Sequence, residues 1–267
     1  MTRIVPTLMI LAALSTSMHL SAQDATSPPG GAMRSSSSSS SVRIGGKVGA
    51  HYLIGSMKLQ PTPKNPPTNP KGLGMQFGAY AEIPFSDMVG LRPELAFSFR
   101  RMKSEVTTNK SYAAGDQATY NGQLFVGTVD TLQEIDQRLT YFQLNAPLMI
   151  TPAEGFRVMF GPSFNFLMGG KQSVDQTVTI KGTAGNQSVN DETFATSTKK
   201  GSTAIKNFRK ADVAVMAGLG YTLDVGFDMD LRYYRGLSTT FDESQGSART
   251  RVWTNMIEFS LGWTFGG

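Results

Sequence analysis

The sequence predicts an all-β fold: an eight-stranded antiparallel up-and-down transmembrane β-barrel with short periplasmic turns and long extracellular loops. Three observations lead to this prediction. They are an apolar N-terminal leader, eight segments in which apolar and polar residues alternate, and connections that are short and long in turn. A closed barrel is the one β-structure that leaves no backbone polar group unpaired in hydrocarbon. An exported chain with these features is typical of the outer membrane of Gram-negative bacteria.

Residues 1–23 have the pattern of a secretory signal peptide. Arg3 is followed by an apolar run from Ile4 to Leu20 and then by small residues, and we place the cleavage site near Ala22 or Gln23. As a membrane helix this run would be short, and no basic stop-transfer cluster follows it.

Residues 24–41 are predicted to be a flexible linker, because their Pro, Gly and Ser cannot bury apolar area. Residues 42–267 then form the barrel. The sequence contains no cysteine. A lipid-anchored lipoprotein and disulfide bonds are therefore excluded.

The first four strands are predicted where apolar residues recur at every second position, the period of a strand with one apolar face. Their apolar faces carry Ile44, Val48 and Tyr52 in 43–54, Phe77, Ile83 and Phe85 in 75–85, Leu95, Phe97 and Phe99 in 91–100, and Phe142, Leu144 and Ile150 in 141–150.

The last four strands follow the same rule. Their apolar faces carry Phe156, Val158 and Phe160 in 156–166, Val213, Ala217 and Leu219 in 212–221, Phe227, Met229 and Leu231 in 227–233, and Ile257, Phe259 and Trp263 in 253–265.

The connections divide into two classes. They are short at 86–88, 151–155 and 224–226, and long at 58–74, 103–136, 168–210 and 238–251. Outer-membrane barrels have short periplasmic turns and long external loops, so the short connections are assigned to the periplasmic end.

Alternation alone fits a soluble, lipocalin-like barrel equally well, with the apolar face turned inward. The interior of an eight-stranded barrel is only just wide enough for side chains to fill, and this apolar face is rich in bulky aromatic residues. The polar face instead carries repeated glycines such as Gly78 and Gly220, which suit a crowded lumen. The apolar face is therefore assigned to lipid.

With the short turns at the periplasm, the outward aromatic residues sort into two girdles, as expected at the two interfaces of a membrane. The upper girdle contains Tyr52, Phe77, Phe97, Phe99, Phe142, Phe164, Phe166, Tyr233 and Trp253, and the lower one contains Phe85, Phe156, Tyr221, Phe227, Trp263 and Phe265.

The inward face carries equal numbers of cations and carboxylates, which predicts an ion-paired plug. They are Arg43, Lys47, Arg92, Arg100, Arg157 and Arg232 with Glu82, Glu94, Asp212, Asp228, Asp230 and Glu258. A turn centred on Asp87 would place Glu82 opposite Arg92, and buried charges are tolerable when partnered in this way. The alternative is a selective channel, which the small strand count disfavours.

The sequence nominates no catalytic residue, cofactor or metal site. His51 is the only histidine after the leader and is assigned to the lumen network; Asp228 and Asp230 are assigned to ion pairs with Arg232 rather than to a cation. No Walker loop, dinucleotide fingerprint or zinc-ligand spacing is present. An outer-membrane lipid-modifying enzyme remains an alternative, and it would depend on His51.

Outer-membrane lipids are the expected surroundings, and nucleic acid is not an expected partner of an exported chain. A basic cluster precedes the sixth predicted strand and is a candidate contact for lipopolysaccharide phosphates: Lys199, Lys200, Lys206, Arg209 and Lys210. The alternative is an ordinary solvated loop.

Short motifs along 42–265 resemble the PorT-like outer-membrane barrel family, whose architecture is related to OmpA and OmpX. They are GGKVGAHY from Gly45, LRPELAFS from Leu91, YFQLNAPLMI from Tyr141, FGPSFNFL from Phe160, DLRYYRGL from Asp230 and FSLGWTF from Phe259. The resemblance implies that Phe265 acts as the signal for the barrel-assembly machinery, although Gly266 and Gly267 follow it here.

These features predict a non-enzymatic integral outer-membrane barrel whose extracellular loops make contacts. A protein is one candidate partner of the loops. The resemblance adds an accessory role in protein secretion. The main alternative is a purely structural envelope barrel.

Overall fold

The computed structural model describes residues 42–62, 66–200, 208–245 and 248–265, without the side chains of 190–200 and 243–248. The predicted signal peptide (1–23) and linker (24–41) lie outside this part. Within it the regular elements are thirteen strands: β1 Arg43–Gln60, β2 Lys71–Pro84, β3 Val89–Leu91, β4 Glu94–Tyr112, β5 Thr119–Tyr120, β6 Gln123–Asn145, β7 Leu148–Ala153, β8 Phe156–Ala184, β9 Gln187–Lys200, β10 Ala211–Thr222, β11 Phe227–Gly236, β12 Phe241–Gln245 and β13 Ala248–Phe265. No helix in these residues is long and apolar enough to cross a membrane.

In the described residues, eight of the strands form a closed antiparallel ring in the order β1, β2, β4, β6, β8, β10, β11, β13 and back to β1. The closing pair runs from Ile44 opposite Phe265 to Gln60 opposite Arg249. Closure satisfies the edges that an open sheet would expose. The predicted eight-stranded antiparallel barrel is confirmed.

Two prolines interrupt predicted strands near the short-turn end. Proline lacks a backbone N–H, so it cannot continue the ladder of a central strand. β3 is separated from β4 at Pro93, and β7 from β6 at Pro147. The proline carbonyls still accept hydrogen bonds, from Ala81 N at 3.0 Å and from Arg92 N at 2.9 Å, and therefore keep the wall continuous.

The long connections are largely strand, which the alternation did not predict. β4 pairs with β6 from Glu94 out to Tyr112, and β8 pairs with β6 out to Ala184 before turning into β9. Beyond the membrane both faces of a strand meet water, so the apolar alternation disappears while β-branched residues such as Thr177 and Val178 still favour strand. These extracellular hairpins, 103–136 and 168–200, extend the barrel wall outward.

The outer wall of the barrel is apolar, with side chains such as Phe160 and Leu219 half or more exposed. An apolar surface of this extent marks contact with a membrane. The two predicted girdles lie on this wall. Exposed members are Tyr52, Phe77, Phe97, Phe99, Phe166, Tyr233, Phe85, Tyr221, Trp263 and Phe265, and half-buried members are Phe142, Phe164, Trp253, Phe156 and Phe227.

The interior contains apolar side chains, most of which were not expected there. A buried cluster lies among the polar lumen residues: Leu53, Met102, Leu139, Tyr141, Met149, Met159, Phe208, Met216, Tyr234 and Met256. Single apolar residues on a mainly polar face leave no trace in an alternation pattern. Methionine is suited to such positions, because its flexible side chain fills irregular gaps.

Candidate functional site

Ten charged side chains form one connected set of ion pairs inside the barrel, and all but the outermost are buried. Six strands supply nine of them, and Arg92 comes from the Pro93 interruption between β3 and β4. In order of contact they are Glu258, Lys47, Glu94, Arg232, Asp230, Arg157, Asp228, Arg92, Glu82 and Arg43. We call this set the lumen network.

Arg92 is the centre of the lumen network and has no exposed side-chain surface. Its guanidinium lies 3.4 Å from both Glu82 and Glu94, 3.5 Å from Asp228 and 3.6 Å from Asp230. The same group stacks over the ring of Tyr80 at 3.8 Å from the centroid. The predicted pairing of Glu82 with Arg92 across the 86–88 turn is present.

Glu94 joins the middle of the lumen network to Lys47 and Glu258. Both of its oxygens accept hydrogen bonds from Arg232, at 2.6 and 2.7 Å, in the two-pronged geometry that makes arginine–carboxylate pairs strong. Lys47 Nζ donates to Glu94 at 2.7 Å and to Glu258 at 3.3 Å. Asn145 donates to Glu94 as well, at 3.3 Å.

The lower end is built around Arg157, which lies 2.8 Å from Asp228 and 2.7 Å from Asp230. Asp228 also accepts hydrogen bonds from the hydroxyls of Tyr80 and Thr222. Asp228 and Asp230 are thus occupied by arginines and hydroxyls. The described residues contain no group of three or more His, Cys, Asp or Glu side chains that could hold a metal ion.

Three predicted members lie outside the buried chain of pairs. Arg43 pairs with Glu82 at 2.7 Å, but its side chain is 44% exposed at the periplasmic mouth. Arg100 donates to Asn165 Oδ1 at 2.7 Å, and Asn165 Nδ2 donates to Asp212 at 2.7 Å. Arg100 and Asp212 are therefore joined through the asparagine.

Glycines make room for these side chains. A Cβ at Gly220 would overlap Asp230 Oδ1 and the guanidinium of Arg157, and one at Gly45 would overlap the ring of Tyr80. At these two positions glycine leaves room for a charged or aromatic side chain from a neighbouring strand.

His51 is buried beside Glu258 on the neighbouring strand, and neither of its ring nitrogens has a hydrogen-bond partner in the described part of the chain. A histidine base needs a group that orients the ring and a nucleophile within reach. Among the described residues, no hydrogen-bonded group orients the His51 ring.

The predicted basic cluster is only partly described. Lys206 and the side chains of Lys199 and Lys200 lie outside the described residues. Lys210 is exposed, and Arg209 is paired with Asp242 at 3.2 Å. The structure does not bring the five residues together as one described patch.

Sequence reasoning did not name as site residues the uncharged members of the interior: Tyr80, Gln143, Asn145, Asn165 and Thr222. All of them fall on the polar positions of the alternation, which was the available signal. Polar residues are also common on the water-exposed faces of strands in soluble proteins, so the pattern alone did not single these residues out as functional.

Comparison with known families gives a match between residues 22–242 and the model of an outer membrane protein beta-barrel domain. A search of the curated proteins found no match.

Solved structures are similar at low identity. Ail, the attachment invasion locus protein of Yersinia pestis, is 12% identical with a TM-score of 0.30, covering 83% of this chain and 98% of Ail. Neisserial surface protein A is 8% identical with a TM-score of 0.33, covering 83% and 97%. The translocator domain of the autotransporter NalP from Neisseria meningitidis is 10% identical with a TM-score of 0.25, covering 84% and 88%.

The family match spans most of the chain and agrees with the closed ring of eight strands. This protein therefore belongs to the outer membrane protein beta-barrel domain family and lies in the outer membrane of a Gram-negative bacterium.

Proposed function

We propose that the protein is a non-enzymatic envelope barrel that is closed to solutes and whose extracellular hairpins are its contact surface. The observation that carries this proposal is the lumen network. Side chains such as Arg92, Arg232 and Glu258 cross the interior and have almost no exposed surface. An eight-stranded barrel filled in this way leaves no aqueous path.

The hairpins support the second half of the proposal. A tilted strand needs about 9–11 residues to cross a bilayer, whereas β6 has 23 residues and β8 has 29. The excess lies beyond the upper girdle, where Tyr112, Tyr120 and Phe125 pack into a second, smaller cluster. A packed extension of this kind offers a stable surface for a partner.

Three partners are part of this proposal. A protein partner would bind the hairpins, and lipopolysaccharide would contact the basic cluster that includes Arg209 and Lys210. The barrel-assembly machinery would recognise Phe265, whose side chain is exposed on the outer wall next to the periplasmic end. An accessory role in secretion, which the PorT-like resemblance implies, would act through the same hairpins.

Two alternatives make different demands on the structure. A purely structural barrel does not require the extracellular hairpins. A lipid-modifying enzyme needs a reactive side chain that a lipid can reach, and the buried ring of His51 argues against that site. The hypothesis of a non-enzymatic barrel is favoured for this reason.

The test is a barrel with trimmed hairpins in a strain that lacks the gene. Thr107, Leu132 and Thr177 lie in one cross-strand row, so replacing 107–132 and 177–195 with short turns shortens both hairpins at the same level. The trimmed barrel should still fold, seen as different gel migration of unheated and boiled samples. We expect it to fail to restore the secreted-protein profile that the full chain restores.

Full restoration by the trimmed barrel would contradict the hairpin proposal and support the purely structural alternative. A deletion strain with a leaky envelope and an unchanged set of secreted proteins would remove the accessory role in secretion.

A further inference from the structure

A groove of about 700 Å³ lies on the outer wall, across β2, β4, β6 and β8. Its apolar lining comes from Leu73, Met75, Phe99 and Met168, all of which are exposed on the lipid-facing side. This volume falls in the range of small-ligand pockets, roughly 300–1,000 Å³. The groove therefore has room for more than a single solvent molecule.

A β-bulge opens the groove. Thr140 pairs with Gly169 but Tyr141 pairs with Leu167, so Met168 is an extra residue in β8. The bulge places two small residues, Thr140 and Gly169, between the larger side chains of the wall. A Cβ at Gly169 would meet nothing within 4 Å. The depression results from the local geometry of β6 and β8.

A row of cations borders the groove on its extracellular side. Arg101, Arg138 and Lys171 lie directly opposite one another on three neighbouring strands, and all are exposed. Like charges placed directly opposite destabilise a sheet. The described carboxylate among them is Asp136, 2.6 Å from Arg101 and 3.6 Å from Arg138. The row keeps an excess of positive charge.

The other charged groups of this wall lie further out. Lys71, Lys103 and Asp136 lie in one cross-strand row two residues beyond the cations. The carboxylates of Glu105, Glu134 and Asp175 lie in the row two residues beyond that. Four residues of strand separate this acidic row from the cations, roughly 13 Å. Among the described residues, the ion pairs at the groove border are those formed by Asp136.

The groove lies at the membrane interface. Two residues below its lining, Phe77, Phe97, Phe142 and Phe166 stand side by side in one cross-strand row with ring centroids 5.6–6.4 Å apart. Aromatic girdles mark the level of the lipid head groups. The cations just above this row are therefore at the depth of head-group phosphates in the outer leaflet.

We propose that this groove binds one phosphorylated glycolipid of the outer leaflet, of the lipid A class. A phosphate binds Arg101, Arg138 and Lys171, and an acyl chain lies against Met75 and Phe99. Arginine guanidinium groups match phosphate oxygens in a two-pronged geometry. A membrane lipid, rather than a free anion, satisfies the cations and the apolar lining together. This inference rests on the proposed outer-membrane barrel and names a lipid partner for it.

The experiment measures lipid binding to the folded full-length mature chain in detergent by native mass spectrometry. The probes are bis-phosphorylated lipid A and the same lipid A after removal of its phosphates. The charge variant is Arg138→Gln with Lys171→Gln, which leaves the Arg101–Asp136 pair in place. The matched control is Lys110→Gln with Lys181→Gln, which removes the same charge from exposed positions near the hairpin tips. A second variant, Gly169→Phe, fills the groove without changing any charge.

We expect the charge variant to bind bis-phosphorylated lipid A at least tenfold more weakly than the wild type and the control. Wild-type protein should bind the dephosphorylated probe as weakly as the charge variant binds the phosphorylated one. Gly169→Phe should weaken binding of both probes. Equal binding by wild type, charge variant and Gly169→Phe would overturn the proposal, as would an equal loss in the control.

Failure of this inference is distinct from failure of the barrel proposal. The gel shift between unheated and boiled samples reports folding of each variant independently of lipid. The trimmed barrel keeps the whole basic row, so it should bind lipid A as the full chain does even if it restores no function in cells.

Discussion

Arg92 is the residue on which the interior depends most. Its guanidinium is shared among Glu82, Glu94, Asp228 and Asp230, and its side chain has no exposed surface. Removing one partner from a buried ion pair costs about 3–5 kcal/mol, because the remaining charge is buried without compensation. Here the loss would leave Asp228 paired with Arg157, and Glu82 paired with the partly exposed Arg43 and, at 3.9 Å, with Arg157.

We therefore expect Arg92→Gln to destabilise the folded barrel by about 3–5 kcal/mol. Arg43→Gln is the control, since Arg43 pairs with the same Glu82 but is 44% exposed. Exposed pairs contribute about 0–1 kcal/mol. Urea unfolding in detergent, followed by the gel shift, measures both variants. Equal midpoints for the two variants would contradict the central role of Arg92.

At the level of single residues, the sequence predicted the ion pair between residues that are close together in the chain. The Glu82–Arg92 pair followed from a short turn, because the turn fixes the register of its two strands. Lys47–Glu94 and Arg232–Glu94 join residues far apart in the chain. Their pairing depends on the tilt and stagger of the closed barrel, which no single segment encodes.

Among the elements, the β12–β13 hairpin carries a charged clamp. Arg249 donates to both oxygens of Asp242, at 2.9 and 2.8 Å, and Arg209 donates at 3.2 Å. The hydrogen bonds from Arg249 lower the pKa of Asp242 from 3.8 to about 2, opposed by burial and assisted by Arg209. The clamp holds the segment before β10 against the hairpin.

The lowered pKa of Asp242 sets the pH range of the clamp. Its contribution to stability is complete above the ordinary value of 3.8 and is lost as the pH falls through about 2. We expect the carboxyl signal of Asp242 to titrate near pH 2 in NMR spectra of labelled protein. In Asp242→Asn, hydrogen exchange of the β12 amides should be faster at pH 5. A carboxyl titration near pH 4 would contradict the clamp.

Inside the membrane the boundaries of the strands were predicted well, and outside it they were predicted poorly. The short turns follow from the abrupt end of each apolar alternation, as at 224–226. The outer part of β8 could not be found in this way, because a strand wetted on both faces has no apolar period. The bulge at Met168 was also hidden, since one inserted residue shifts the pattern where it is already fading.

For the whole molecule, an apolar outer wall surrounds an ion-paired centre, and the sequence predicted both because the two faces of each strand differ in chemistry. The apolar cluster around Met159 and Met216 was not predicted. It adds close packing to a centre that ion pairs alone would leave irregular, since charged groups fix distances without filling every gap. Apolar packing and ion pairs together fill the lumen.

The closed lumen predicts that the wild-type barrel carries no steady current in a planar lipid bilayer. Glu94 and Arg232 are fully buried side chains that meet at the middle of the interior, 2.6 Å apart. Replacing both with serine keeps the charge balance, removes two bulky groups and leaves Lys47 paired with Glu258. We expect Glu94→Ser with Arg232→Ser to conduct if it still folds by the gel-shift criterion, while Arg43→Gln, at the mouth, stays closed. A steady, ion-selective current through the wild type would show that water and ions pass the lumen network, and the barrel would then be a channel.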